Sequence, residues 1–269
     1  MRKARHPLVA GIINLNSDSF FGKSRCASEN EALRLAESLI IEGADILDVG
    51  AESSRPGSLP ISEDDEINRL LPVVKELSRR YKIPVSVDTY KPKVAQIVLD
   101  AGASIINDIT GLQKYPQMAD IISSFNAGVV LMHMQGSPKN MQENPVYADL
   151  LQEIISFLGK SSSIAIKSGI SPESIAIDPG IGFGKTTEHN LELLGKLDSF
   201  KGLGKAILVG PSRKAFIGNI LDLPVEERME GSLAASVVAV LKGVDILRVH
   251  DVKETVRVIK ITEAIRKYE

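Results

Sequence analysis

The sequence predicts a (β/α)8 barrel. Eight short apolar runs recur along the 269 residues, and stretches of helical length separate them. Nearly every run stops at a polar residue suited to ligand binding. The runs are rich in Val and Ile and barely alternate, as strands buried on both faces should. In such a barrel the loops after the C-terminal strand ends build the active site, so the polar stops matter more than the runs.

The first run, LVAGIIN (8–14), leads to a helix over 30–43 that places Ala32, Leu35, Ala36 and Leu39 on one face and ends at Gly43. ADILDVG (44–50) leads to a helix over 63–80, with Ser62 as N-cap, acids in the first turn and arginines in the last. Pro72 is a candidate kink within it. PVSVD (84–88) precedes a helix over 91–102, and ASIIND (103–108) one over 116–126. GVVLMH (128–133), SIAID (174–178), AILVG (206–210) and VDILRVH (244–250) precede helices at 147–168, 187–198, 226–242 and 252–268. No linker or low-complexity segment divides the chain, so one domain spans residues 1–269. A doubly wound sheet, the other fold considered, would need fewer strands and one crevice at a switch point.

Hydrophobic residues make up 43% and charged residues 25% of the chain, which supports a sizeable core in a soluble protein. The net charge of -2 gives no general attraction to nucleic acid or an anionic membrane. Cys26 is the single cysteine, so no internal disulfide forms, which suits a reducing cytoplasm. It falls in an expected surface loop as a bystander thiol. The N-terminal apolar stretch is too short for a signal peptide, and no run approaches a membrane span.

Asn14, Asp88, Asn107, Asp108 and Asp178 stand at strand ends. Each alone could cap a loop, since Asx side chains readily bond nearby amides. Together at one rim they offer paired acceptors that suit a flat heterocycle with adjacent N–H donors. Cations come from other loops: Arg55 in ESSRPGS (52–58), Arg213 and Lys214 in GPSRKAFIG (210–218), and Arg248 with His250 in LRVHD (247–251). Arg248 and His250, two apart, point the same way if the strand continues through them. With Asn14 opposite, they could hold a di-anionic or pyrophosphate group, alone or with Mg2+. The glycine-rich DPGIGFGKTTEHN (178–190) lacks phosphate-loop spacing and reads as a flexible loop presenting Phe183. His133 has no second ligand at metal spacing, so a hydrogen-bonding place in the rim or core is favoured. His189 belongs to a helix start and His6 to a loose terminus.

These motifs converge on one family. The chain resembles dihydropteroate synthase, the folate-pathway enzyme that sulfonamides inhibit. The likeness rests on GIINLNSDSF (11–20), DILDVGAESSRPG (45–57), VSVDTYKP (85–92), IINDITG (105–111), LMHMQG (131–136), IDPGIGFGK (177–185), GPSRK (210–214) and RVHDV (248–252), in family order. The resemblance implies joining 6-hydroxymethyl-7,8-dihydropterin pyrophosphate to p-aminobenzoate, with release of pyrophosphate. It further implies that Asp88, Asn107, Ile109, Met132, Asp178, Gly210 and Lys214 hold the pterin. Asn14 would bind Mg2+ with the pyrophosphate, and Ser54, Arg55, Arg248 and His250 the leaving group. Phe20, Pro56, Phe183, Ser212 and the Lys214 stem would line the p-aminobenzoate pocket. Lys214, Arg248, His250 and Asn14 are the implied catalytic set, in a cytoplasmic homodimer built on outer helices after 187, 226 and 252.

The first loop departs from the family pattern N-V-T-P-D-S-F-S-D-G-G. Here Asn16 and Ser17 replace Thr and Pro, and the later Asp-Gly-Gly is lost. The resemblance therefore reaches further for the pterin than for closure over p-aminobenzoate. Ala51 and Ser54 replace the usual Gly and Thr; Ser54 keeps the hydroxyl. The alternatives are a pterin- or folate-binding methyltransferase domain, which needs no pyrophosphate cluster, and a catalytically altered pterin-binding relative, supported only by that loop. A Schiff-base aldolase using Lys214 is a third.

Overall fold

The computed structural model describes residues 6–15, 26 and 28–268. Its eight strands are β1 (Leu8–Asn14), β2 (Ile46–Gly50), β3 (Val85–Asp88), β4 (Ile105–Asp108), β5 (Gly128–Met132), β6 (Ile175–Asp178), β7 (Ala206–Val209) and β8 (Ile246–Val249). They pair in parallel in chain order, and β8 returns to β1, so the sheet is a closed barrel. Each lies within one of the eight apolar runs. The expected barrel is the observed one.

Helices wrap the outside: α1 (Glu29–Glu42), α2 (Glu63–Arg80), α3 (Pro92–Asp100), α4 (Met118–Ser124), α5 (Leu150–Lys167), α6 (Thr187–Gly195), α7 (Ala215–Leu221), α8 (Met229–Leu241) and α9 (Val252–Arg266). Local chemistry sets their ends. Ser62 accepts from the Asp65 amide at 3.1 Å to start α2, whose first turn carries four acids against the helix dipole. Pro72 lies inside α2, which runs unbroken from Glu63 to Arg80. Gly43 closes α1 at φ 103, a conformation that favours glycine. His189 is the third residue of α6 and completes a capping box with Thr186. The short helix α7 has no counterpart in the sequence reading, because AFIGNIL follows directly on the site residues 210–214.

Strand alternation sorts the side chains. One set, including Leu47, Val49, Val87, Ile106, Leu131, Ile177 and Leu247, packs outward in the main core beneath the helices. The inward set builds a separate apolar floor of Ala10, Ile46, Val130, Ala176, Leu208 and Ile246. Two residues further along, the inward positions of β2 and β8 are Asp48 and Arg248. Register brings Asn14, Gly50, Asp88 and Asn107 level on four adjoining strands, which aligns their polar ends at one mouth.

Cys26 differs from expectation. It is buried rather than at the surface, and its amide donates to the Asn14 carbonyl at 2.8 Å. Burial, aided by Glu31 and opposed by Arg34, pushes its thiol up to about 11. The thiol therefore stays protonated and inert at neutral pH.

Candidate active site

The mouth encloses a cleft lined by Asn14, Ser54, Arg55, Asp88, Phe183, Gly210, Ser212, Lys214, Arg248 and His250, with Glu52, Ser53, Ile12 and Arg213 beside them. Eleven residues singled out in the sequence, Arg213 among them, thus meet in one place. Asn107 and Asp178 lie buried on the neighbouring strand ends, with Ile109 and Met132 also buried. Pro56 is exposed and does not line the cleft. Phe20, Asn16 and Ser17 lie outside the described residues, as does the rest of the divergent loop over 16–25.

Arg248 is the cross-brace of the mouth. Its Nε donates to Asp48 at 2.6 Å and its Nη2 to Asp88 at 3.2 Å. Ser86 donates to the other oxygen of Asp48 at 2.6 Å, so that buried carboxylate is bonded at both ends. Burial, with Asp48, Glu66 and Glu52 nearby, raises the Asp88 carboxyl above its usual range despite Arg248. Asp48 escaped the sequence reading. Its signal was a lone acid inside the apolar run 46–50, which cannot stay buried unless paired.

Asn107 adds an acceptor. Its Oδ1 is buried and has no hydrogen-bond partner among the described residues. A lost hydrogen bond of this kind costs about 1–3 kcal/mol, so such an atom at a mouth is suited to a ligand donor. Asp178 accepts from the Gly180 amide at 2.7 Å. Burial raises it to about 6, against the pull of that amide, Lys214, Lys185 and Arg248. Asp108 is different: its carboxylate takes Thr110 N and Oγ1 and Leu112 N, so it caps a loop.

Lys214 and Phe183 form the opposite wall. The Lys214 ammonium sits 4.0 Å from the Phe183 ring centroid, a cation–π contact. Burial, with Arg248 adding repulsion, lowers Lys214 to about 8 while Asp178 and Asp88 hold it up. The loop presenting Phe183 is anchored, not the flexible loop expected. Gly180, Gly182 and Gly184 all have positive φ, and a Cβ on Gly180 would overlap the His133 carbonyl. Asn190, Gln142 and Tyr147 bond Gly182 N, Gly182 O and Gly184 O at 2.6, 2.9 and 2.7 Å. The alternate glycines serve close packing.

Lys185, which the sequence reading passed over, and His133 lie behind this loop. Lys185 Nζ donates to the Phe183 carbonyl at 2.9 Å and lies 3.1 Å from His133 Nδ1. Burial, with Lys185 beside it, drives His133 down to about 3, so the imidazole is neutral. His133 is therefore a hydrogen-bonding core residue.

On the remaining side, Ser212 Oγ lies 2.9 Å from His250 Nδ1. Burial, reinforced by Arg248, Arg213 and Lys214, pushes His250 down to about 3. His250 is thus a neutral hydrogen-bonding group rather than one of the cations it was grouped with. Arg213 is engaged structurally: two nitrogens grip Asp251 at 2.9 and 2.8 Å, and Nη1 reaches the carbonyls of Val225 and Glu226. Only the fold reveals that pairing, across 38 residues.

A closed barrel with two raised carboxyls, an orphan carboxamide oxygen and a lowered lysine at one mouth defines a class: a (β/α)8 enzyme that grips a flat polar heterocycle beside an anion. Comparison with known proteins gives the same class a family. Residues 10–250 match the pterin binding enzyme family. The chain is 45% identical over 258 residues to the dihydropteroate synthase of Bacillus subtilis (strain 168), covering 96% of this chain and 88% of that one. The Escherichia coli (strain K12) dihydropteroate synthase is 42% identical over 259 residues, with 96% and 92% covered. A crystal structure of Yersinia pestis dihydropteroate synthase with a sulfonamide drug complex superimposes with a TM-score of 0.92 at 40% identity, covering 98% of this chain and 95% of that chain. The chain belongs to the dihydropteroate synthase family of pterin-binding enzymes. Its activity is that of a transferase of folate biosynthesis.

Proposed function

We propose that the mouth condenses 6-hydroxymethyl-7,8-dihydropterin pyrophosphate with p-aminobenzoate through a fixed division of labour. Asp88, Asn107 and Asp178 accept from the pterin's ring N–H groups. Lys214 donates to its ring oxygen, and Ile109, Met132 and Gly210 pack against it. Ser54, Arg55, Arg248, His250 and Asn14 hold the pyrophosphate. Phe183, Ser212 and the Lys214 stem flank p-aminobenzoate. The observation that carries this reading is the Asn107 Oδ1, buried level with Asp88 and without a partner among the described residues.

Magnesium fits as a guest of the pyrophosphate. The described residues contain no group of three or more His, Cys, Asp or Glu that could hold a metal alone. Asn14 would offer one hard carboxamide oxygen beside the residues that hold the pyrophosphate, and Mg2+ characteristically takes few protein ligands along with substrate phosphates. When bound, the ion would neutralise charge developing on the leaving group.

The chemistry is a dissociative substitution with no covalent enzyme intermediate. Arg248, Arg55 and the hydrogen bonds of Ser54 and His250 favour departure of pyrophosphate. The dihydropterin ring spreads the positive charge left on its methylene. The amine of p-aminobenzoate, positioned by Phe183 and Ser212, then attacks. An aromatic amine is weakly basic, so it needs no strong general base. Isotope scrambling in the pyrophosphate of bound substrate, without p-aminobenzoate, is the expected result; intact label would favour concerted displacement.

A homodimer on the outer helices is supported by α8, whose sequence MEGSLAASVVAVL is apolar nearly all round yet exposes Val238 and Leu241. Leu191 on α6, Ile220 and Leu221 on α7, and Ile261 and Ile265 on α9 add to the exposed apolar surface. No described helix is long and apolar enough to cross a membrane. The single free cysteine suits a cytoplasmic location. Sedimentation at about twice the chain mass is expected, and a monomer at micromolar concentration would contradict the dimer.

A further inference from the structure

Three residues after Asp88, Lys91 has no part in the division of labour above. Its ammonium is buried and its three donors are all engaged: Glu52 Oε2 at 2.6 Å, Glu66 Oε2 at 2.5 Å and the Ile61 carbonyl at 2.7 Å. The Ile61 amide donates back to Glu52 at 3.1 Å. Glu52 and Ile61 are the two ends of the irregular segment that carries Ser54, Arg55 and Pro56. One ammonium therefore ties the neck of that segment and fastens it to the end of β3.

Above the neck, the segment folds on itself. Ser58 donates to the carbonyls of Ser53 and Arg55 at 2.6 and 2.8 Å, and Gly57 N donates to Pro138 O at 2.9 Å. Glu52 itself lines the cleft with Ser54 and Arg55. Loops without regular structure hold functional side chains to within a fraction of an ångström only when their ends are braced. We propose that Lys91 is the positioning residue of the 52–61 segment, fixing Ser54 and Arg55 where the pyrophosphate of the substrate must lie. This rests on the reading of Ser54 and Arg55 as pyrophosphate ligands.

The arrangement predicts selectivity in the damage. Losing the clamp should weaken binding of the pyrophosphate ester and leave the pterin ring's own contacts intact. Lys91→Met alone would strand Glu66, a fully buried carboxyl that burial already raises. Pairing it with Glu66→Gln keeps the net charge of the cluster. In the full-length Lys91→Met/Glu66→Gln protein, the dissociation constant for dihydropterin pyrophosphate should rise roughly ten- to a hundredfold, as a displaced contact does. That for 6-hydroxymethyl-7,8-dihydropterin, lacking the pyrophosphate, should change less than about twofold. Lys91→Arg, with its charge kept, should recover part of the loss. Equal weakening of both ligands, or of neither, in a folded variant would overturn the proposal. If the double variant does not fold, Glu52→Gln takes the same measurement, and unchanged selectivity there overturns it equally. Arg55→Ala separates the two layers: if it weakens the pyrophosphate ester and the clamp variants do not, the clamp fails and the site reading stands. If Arg55→Ala changes nothing, the site reading fails and the clamp falls with it.

Discussion

At the lower end of the barrel interior, Ala10, Ile46, Val130, Ala176, Leu208 and Ile246 pack as an apolar floor. Two residues further along the same strands stand Ile12, Asp48, Met132, Asp178, Gly210 and Arg248. A step of two residues, about 6.6 Å of strand, separates an apolar layer from a network of carboxylates and cations. The difference teaches how one scaffold separates its tasks. The floor needs only volume and apolarity, and it fixes strand spacing. At the mouth burial penalises charge: the Asp178 carboxyl is raised and the Lys214 ammonium lowered because they share a poorly hydrated space. Such groups bind strongly only when a ligand supplies the missing partners.

The comparison breaks most sharply at Lys214. Lys214→Ala should lower kcat/KM by roughly 10²- to 10³-fold, the scale of losing one preorganised donor, with the circular dichroism spectrum unchanged. Wild-type kcat/KM would remove Lys214 from the chemistry. On the floor the effect should be of another kind. Leu208→Ala should cost about 2–5 kcal/mol of stability in denaturant melts. The KM values of folded protein should stay within about twofold of wild type. A large rise in KM would mean that floor and mouth are not separable.

Smaller effects sharpen the mouth. Asn107→Ala should raise KM for the pterin substrate about tenfold and leave that for p-aminobenzoate alone, since one hydrogen bond is lost. Unchanged pterin KM would leave the orphan oxygen without a ligand. The smallest effect is in pH. On the proposed roles, Asp88 and Asp178 must both lose their protons to accept from the pterin, and Lys214 must keep its proton to donate. As pH rises through about 6 to 7 kcat/KM should climb, and as it passes about 8 it should fall. Lys214→Arg should shift or abolish the alkaline limb only. A profile flat from pH 5 to 9 would show that none of these titrations governs binding.

Much of this was legible in the sequence, because four of the strands carry their own label: an apolar run that closes on Asn14, Asp88, Asn107 with Asp108, or Asp178. Helix α2 announced both ends through Ser62 and Arg79–Arg80. What stayed hidden joins residues far apart in the chain. The Arg248 brace to Asp48 spans 200 residues, and the Arg213 grip on Asp251 spans 38. Arg213 and Lys214 are neighbours in sequence, yet one is consumed by structure and the other faces the cleft. His133 and Lys185 find each other 52 residues apart behind the Phe183 loop. Alternating glycines suggested looseness there, whereas their role is close approach of backbones. Cys26 was misplaced for a similar reason: its burial is created by strand and helix neighbours that local polarity does not report.

The central claim is that the polar mouth joins a pterin pyrophosphate to an aromatic amine. Incubating the protein with 6-hydroxymethyl-7,8-dihydropterin pyrophosphate and radiolabelled p-aminobenzoate tests it directly. Labelled 7,8-dihydropteroate should form only with both substrates present, with one pyrophosphate released for each. Tight pterin binding without labelled product would contradict the account.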